Sequence, residues 1–380
     1  MLRFEVPYRR QRVRGRSTTA GGYPGFPAGS GFKGDRAEIV DQRYSRQILF
    51  SGIGASGQDR IGRGRVLLVG CGALGSVIAE ILVRAGVGSI LIVDRDFVEE
   101  SNLQRQSLFT EEDCRLGLPK AVAAAAHLRS MNSSVDIRAE VVDVRASTIE
   151  ALVTDRDLIL DGTDNFETRY LLNDASLRWE KPWVYGACVG AYGMSLAFVP
   201  HVTPCLRCIL QLLPPPGSSP TCDTVGVIGP IVHYVAALES VEALKLLTGR
   251  QDLLNRKLTT MDLWANRFGT MDLSGQEPDP ECPACGQCKL EFLDGLHEGY
   301  ADMLCGRNAV QISRAVPRPV DLEQIAKRLS QAGIVTQNEF LLRTRIGELD
   351  VALFRDGRAI VKGTQDIGEA RRVYSRFIGD

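Results

Sequence analysis

Histidine is scarce in this 380-residue chain: there are four, His127, His201, His233 and His297, and none of their spacings suggests a metal site or a catalytic set. Chemistry built on histidine ligands or a histidine base therefore has no support. No apolar run approaches the roughly 18 to 20 residues that a membrane-spanning helix requires, so no membrane partner is expected. The basic N-terminus lacks the continuous apolar stretch of a secretory signal. A cytoplasmic setting is the default expectation, in which the ten cysteines read as thiols and metal ligands rather than as a disulfide framework. Excess charge is missing as well. The 45 Lys+Arg against 46 Asp+Glu leave a formal net charge of -1, which gives no overall electrostatic reason to expect nucleic acid or an anionic membrane surface.

What is present is a globular composition, 44% hydrophobic and 24% charged, enough for one large domain and a smaller appendage. Residues 1–40 carry many arginines and a Gly/Pro-rich stretch that buries too little apolar surface to offset its ordering entropy, so a disordered tail is expected there. From Arg65 the pattern alternates: VLLVG reads as a strand, Val77, Ile78, Ile81 and Leu82 mark one face of a helix, and ILIVD reads as the next strand. LILDGTDN, WVYGA and MSLAFV follow as buried strands, and Pro230 to Leu247 as a long helix. Strands alternating with helices predict a mostly parallel, doubly wound α/β sheet over residues 41–290. Over residues 291–380 a small α+β domain is predicted: AVQISR as a strand, Asp321 to Gln331 as a helix, a hairpin turning at Asp356-Gly357, and a last helix opening at Asp366 with Glu369 completing a capping box.

The sequence Gly70-Cys71-Gly72-Ala73-Leu74-Gly75 places G-x-G-x-x-G between a strand and a helix, where backbone N–H groups can approach a phosphate. Asp94 ends the next strand, where a carboxylate accepts hydrogen bonds from ribose hydroxyls. To this point a nicotinamide or flavin enzyme fits as well as an ATP enzyme. The polar run from Asp94 and Asp96 through Ser101, Asn102 and Arg105, then Gly117-Leu118-Pro119-Lys120, then Asp161-Gly162-Thr163-Asp164-Asn165, separates the two. Arg105 and Lys120 cluster positive charge for a triphosphate, and Asp164 at a strand end suits Mg²⁺ through oxygen coordination.

Together with Arg43-Tyr44-Ser45-Arg46-Gln47, two C-x-x-C pairs and the GP…ALESVEALKLLTG segment, these motifs resemble the ThiF/MoeB family, relatives of the ubiquitin-activating enzymes, over about residues 41 to 290. The resemblance implies a Rossmann-like ATP-binding domain that adenylates the C-terminal glycine carboxylate of a ubiquitin-like sulfur-carrier protein. It further implies that the loop of Gly70, Gly72, Ala73 and Gly75 holds ATP, that Asp94, with Asp96 beside it, takes the ribose, and that Ser101, Asn102, Arg105 and Lys120 contact phosphates. Asp164, with Asn165 beside it, would carry Mg²⁺. A homodimer is implied in which Arg46 reaches the partner's ATP, with a sulfur donor protein as a further partner.

Cys205-x-x-Cys208 and Cys282-x-x-Cys285 can each supply half of a tetrahedral four-cysteine Zn²⁺ site, a structural knuckle clamping a late segment onto the sheet; redox or metal-free thiols are the alternative, and Cys288 is a spare ligand. Cys222 follows the run from Leu213 to Ser219, expected to be flexible. In ThiF-like members a cysteine at the matching place receives the carrier, whereas MoeB-like members can adenylate without using theirs, so the resemblance allows an acceptor thiol here without requiring one, and a loop cysteine with no catalytic duty is the alternative. Cys71, Cys114 and Cys188 read as structural. Cys305 opens Cys-Gly-Arg-Asn, as in a rhodanese loop, but the domain around it is too small for a rhodanese. Activation of a different carboxylate, on a small molecule, a tRNA or a peptide, and a non-catalytic Rossmann-fold binding platform remain the competing functions.

Overall fold

The computed structural model describes residues 42–211, 221–296, 301–304, 308–313, 319–330 and 334–378. The expected N-terminal tail, the whole Leu213–Pro220 run, His297 and Cys305 lie outside the described residues.

The larger sheet has eight strands: β1 (Arg65–Val69), β2 (Ser89–Val93), β3 (Asp136–Glu140), β4 (Leu158–Asp161), β5 (Trp183–Val189), β6 (Tyr192–Phe198), β7 (Lys257–Asp262) and β8 (Arg267–Asp272). Their order is β3-β2-β1-β4-β5-β6-β7-β8. The pairings from β3 to β5 are parallel and those from β5 to β8 antiparallel. The sheet is thus mixed rather than nearly all parallel, because the chain doubles back at β6 and adds the β7–β8 hairpin, which the sequence reading did not foresee. The strand VLLV is apolar throughout because both faces of β1 are covered: Val66 and Leu68 join one core cluster, Leu67 and Val69 the other. Each such fully buried side chain contributes about 1.5–3 kcal/mol.

The chain runs outward from β1 through β2 to β3 and returns to β4 on the other side of β1, so the crevice between the ends of β1 and β4 is a topological switch point, where open α/β sheets bind ligands. The glycine-loop helix Ala73–Ala85 leaves from β1 and ends at Gly86, whose φ of 83° permits the left-handed cap. Helix Lys120–Met131 and the long helix Gly229–Leu247 complete that layer. Among the described residues no helix is long and apolar enough to cross a membrane.

The second sheet is antiparallel, with β9 (Ala301–Leu304), β10 (Ala309–Ile312), β11 (Val335–Gln337), β12 (Leu341–Ile346), β13 (Leu349–Phe354) and β14 (Ala359–Lys362) in the order β11-β12-β13-β14-β10-β9. The predicted hairpin is β13–β14, turning at Gly357 with φ 86°. Helices Leu322–Leu329 and Ile367–Phe377 pack on it. The first starts one residue after its cap Asp321 and is shorter than expected. In the second, Asp366 caps through Gly368 N–H rather than through a reciprocal bond with Glu369.

Candidate nucleotide and thiol site

At the switch point three glycines interlock. Gly70 has φ 85°, and a Cβ added to it would lie 2.6 Å from Gly162 O; one on Gly75 would lie 2.0 Å from Gly70 O, and one on Gly162 2.2 Å from the same atom. Any side chain there would force apart the β1 turn and the Asp161–Asn165 loop. Gly72 differs: an added Cβ would meet only Gln106 Nε2, at 3.8 Å, so its face is open. Gln106 is buried, and its Oε1 has no hydrogen-bond partner among the described residues. A buried acceptor left over beside an open glycine backbone fits a ligand at this place.

Asp94 is nearly buried and braces the loop. Its Oδ2 accepts from Cys71 N–H (2.6 Å) and its Oδ1 from Asp96 N–H (2.7 Å). Burial pushes the Asp94 carboxyl up, while Lys120 opposes the shift. Lys120 opens its helix, 4% exposed, with Nζ 3.4 Å from Asp96 Oδ2 and its backbone N–H donating to Asp96 O. Asn102 is buried and accepts from Glu99 N–H, capping the turn Glu100–Asn102; Asn165 caps helix Phe166–Trp179 through Thr168 N–H. Both therefore have structural duties besides any ligand contact. Ser101 and Asp164 are exposed, and half-buried Arg105 donates to Ser101 O (2.9 Å).

Arg169 was not singled out from sequence. It is buried, donates from Nε to Asp161 Oδ2 (3.0 Å), and from Nη2 to Thr163 O (2.8 Å) and Gly186 O (3.0 Å). It thus pins the Asp161–Asn165 loop to β5. Glu239 of the long helix is fully buried nearby, both of its carboxylate oxygens lacking hydrogen bonds among the described residues, and burial pushes its carboxyl well up. An added Cβ on Gly186 would lie 1.8 Å from Glu239 Oε1, so Gly186 makes room for this acid.

Cys222 opens a short helix, Cys222–Val225, capped by Thr221, and its Sγ lies 3.5 Å from Cys188 O. Burial pushes the Cys188 thiol up to about 12, and the adjacent Cys222 adds to this while Arg169 and Arg105 oppose it. Gln104 Nε2 reaches Val227 O (3.5 Å), which ties the Ser101–Gln106 segment to the chain just past Cys222. Arg46 is not brought to this site within its own chain. Tyr44, Arg43 and Gln47 bind Asn132, Met131 O and Ala85 O, at the far ends of the helices that begin at the site. Helix Ala73–Ala85 has 13 residues, so Arg46 stands about 20 Å away along it.

Residues 44–284 match the ThiF family. The chain belongs to the ThiF family. It is 47% identical over 338 residues to the sulfur carrier protein ThiS adenylyltransferase of Bacillus subtilis (strain 168), spanning 89% of this chain and 99% of that one. Over 254 residues it is 37% identical to the SAMP-activating enzyme E1 of Haloferax volcanii, 67% and 92% of the two chains. It is 38% identical over 250 residues to the sulfur carrier protein adenylyltransferase of Thermus thermophilus, 64% and 90%. Among solved structures, E. coli MccB with ATP has a TM-score of 0.56 at 24% identity, covering 65% of this chain and 75% of that one; this likeness is one of fold.

In this ThiF-family chain the four knuckle cysteines converge. Their sulfurs all lie within 4.8 Å of one another, with Cys205–Cys208 at 3.8 Å, Cys205–Cys282 at 3.6 Å and Cys208–Cys285 at 3.3 Å. Four sulfurs about 2.3 Å from a central ion stand about 3.8 Å apart, so the set can hold a metal. Cys288 is exposed and stands outside the set.

Proposed function

We propose that this protein uses ATP to adenylate the C-terminal glycine carboxylate of a ubiquitin-like sulfur-carrier protein, ThiS- or MoaD-like, releasing pyrophosphate. The observation that carries the reading is the open Gly72 backbone beside Gln106 Oε1, which has no partner among the described residues, at the switch point, flanked by Asp94, Asp96 and Lys120. Residues 41–290 form the adenylating domain and 291–380 a small α+β domain.

Backbone N–H groups from Gly70 to Gly75 receive phosphate, Asp94 and Asp96 the ribose, and Ser101, Asn102, Arg105 and Lys120 the phosphates. Asp164, with Asn165 beside it, would hold Mg²⁺, which supplies positive charge against the triphosphate. Cys205, Cys208, Cys282 and Cys285 would hold a structural Zn²⁺ that fixes the knuckle. The attacking carboxylate is already ionised near neutral pH, so the site needs no general base. What it must overcome is repulsion between two anions, by aligning them and by supplying cationic side chains. Lys120 and Arg105 do so from the same chain, and in a homodimer Arg46 of the partner subunit adds a third charge, in keeping with the distance of Arg46 from its own site. Cys222 then accepts the activated carbonyl: its sulfur forms a bond to the acyl carbon as AMP leaves, and a sulfur donor protein serves the steps that follow.

ATP–pyrophosphate exchange tests the reading. Exchange should require the carrier with its terminal glycine, and Asp164→Ala should nearly abolish it without unfolding the protein. Equal exchange with and without the carrier would refute the proposed acceptor.

A further inference from the structure

The C-terminal sheet docks on the outer side of the two segments that supply the nucleotide-site residues. Phe97, three residues after Asp94, is buried in a cluster with Ala309, Leu341, Ala352, Phe354 and Ile360. Arg358, 3% exposed, donates from Nη2 to Arg95 O (2.7 Å) while its guanidinium lies 3.8 Å from the Phe354 ring centroid. Lys362 pairs with Glu99, and Arg343 covers the Phe97 ring at 4.9 Å. The other grip is at the second segment. Asn338 Nδ2 donates to Leu116 O and Gly117 O, each at 3.1 Å, immediately before the Leu118-Pro119-Lys120 run. Phe97 and Pro119 are bridged to each other, and Lys120 N–H donates to Asp96 O, so the two gripped segments form one wall.

We propose that the C-terminal domain is a positioning element for nucleotide binding, with Arg358 and Asn338 as its positioning residues. Neither residue is among those assigned to the ligand. Arg358 fixes the backbone carbonyl of the residue between Asp94 and Asp96, and Asn338 fixes the turn that delivers Lys120. Holding these segments in advance removes an ordering cost that ATP binding would otherwise bear. The inference rests on the adenylation reading only in that the ligand is ATP.

The experiment measures ATP affinity of the full-length protein by calorimetry with ATP and Mg²⁺, together with carrier-dependent pyrophosphate exchange. Asn338→Asp is the selective variant: Oδ1 still accepts from Phe340 N–H and Leu341 N–H, but the donor to Leu116 O and Gly117 O is replaced by an oxygen. ATP binding should weaken about tenfold, equivalent to about 1.4 kcal/mol. KM for ATP should rise in step, while kcat and KM for the carrier stay within about twofold, as expected for lost ground-state binding. Arg358→Met should act in the same direction and Arg358→Lys should recover part of the loss. Wild-type ATP affinity in folded Asn338→Asp and Arg358→Met proteins, even with a lowered Tm, would overturn the proposal by leaving the domain a purely structural role. ATP binding that follows the predicted order in a protein without carrier-dependent exchange would uphold the positioning role and refute the adenylation reading alone. A wild-type protein that does not bind ATP would refute both.

Discussion

Replacing Arg169 by Met should destabilise the protein out of proportion to the size of the change. Asp161 is 0% exposed and Arg169 5% exposed; the substitution removes the guanidinium but leaves the carboxylate in the core. Breaking a buried pair from one side costs about 3–5 kcal/mol. Thr163, whose N–H and Oγ1 both donate to Asp161 Oδ1 at 2.9 and 2.6 Å, keeps the cost toward the lower end. At about 2–4 °C per kcal/mol for a domain of this size, a loss near 3 kcal/mol lowers Tm by about 6–12 °C. The double variant Asp161→Asn/Arg169→Met removes the stranded charge and should regain part of the deficit, a coupling that a double-mutant cycle reads directly. The sign of the pH effect is fixed by the same geometry. Burial already pushes the Asp161 carboxyl above its ordinary value, and without Arg169 it rises further, so the folded single variant binds more protons than the unfolded one and its stability falls as pH rises. The deficit should therefore shrink toward pH 5. Differential scanning fluorimetry at pH 5 and pH 8 checks this. A Tm within about 2 °C of wild type at pH 8, or a deficit independent of pH, would refute the reasoning.

Protein purified without chelator should contain about one zinc per chain; absence of metal by elemental analysis would refute the knuckle, and Cys282→Ser should lower metal content and Tm together. Cys222→Ser should retain pyrophosphate exchange yet lose a thiol-sensitive adduct with the carrier, read by intact mass without reductant; equal adduct in both proteins would place the reactive sulfur elsewhere. Burial alone would raise the Asp143 carboxyl, but Arg95, Arg145 and Arg358 hold it at about 2, below its ordinary 3.8. Its contribution of about 2 kcal/mol is present above pH 4 and is lost as pH falls through 4 toward 2, so Asp143→Asn should flatten the acid limb of the stability profile.

The parts of the site legible in sequence are those where chemistry constrains residue type locally. Gly70 needs a positive φ and Gly75 and Gly162 need bare backbone, so the loop could only be written with glycine; Asp94 follows at strand-end spacing. Arg169 was not legible because its partners, Asp161, Thr163 and Gly186, are assembled from the end of one strand, the loop after it and the neighbouring strand. Asn102 and Asn165 show how a polar residue near a ligand loop is ambiguous: their side chains cap turns and helices, a duty that spacing does not separate from ligand contact. The β7–β8 hairpin escaped notice because Arg267–Asp272 is exposed along its whole length and so lacks the alternation that marks a half-buried strand. Arg358 and Lys362 look like ordinary hairpin charges until the second sheet is docked, when one is buried against Arg95 O and the other meets Glu99.

The central claim, attack of the carrier's terminal carboxylate on ATP, is tested most directly by isotope transfer. A carrier labelled with ¹⁸O in its terminal carboxylate is incubated with protein, ATP and Mg²⁺, the activated carbonyl is captured with hydroxylamine, and the AMP released is analysed by mass spectrometry. The account predicts one carboxylate ¹⁸O in the AMP, because the bridging oxygen leaves with the nucleotide. AMP formed at the same rate without the label would mean that water, not the carrier, is the acceptor, and would contradict it.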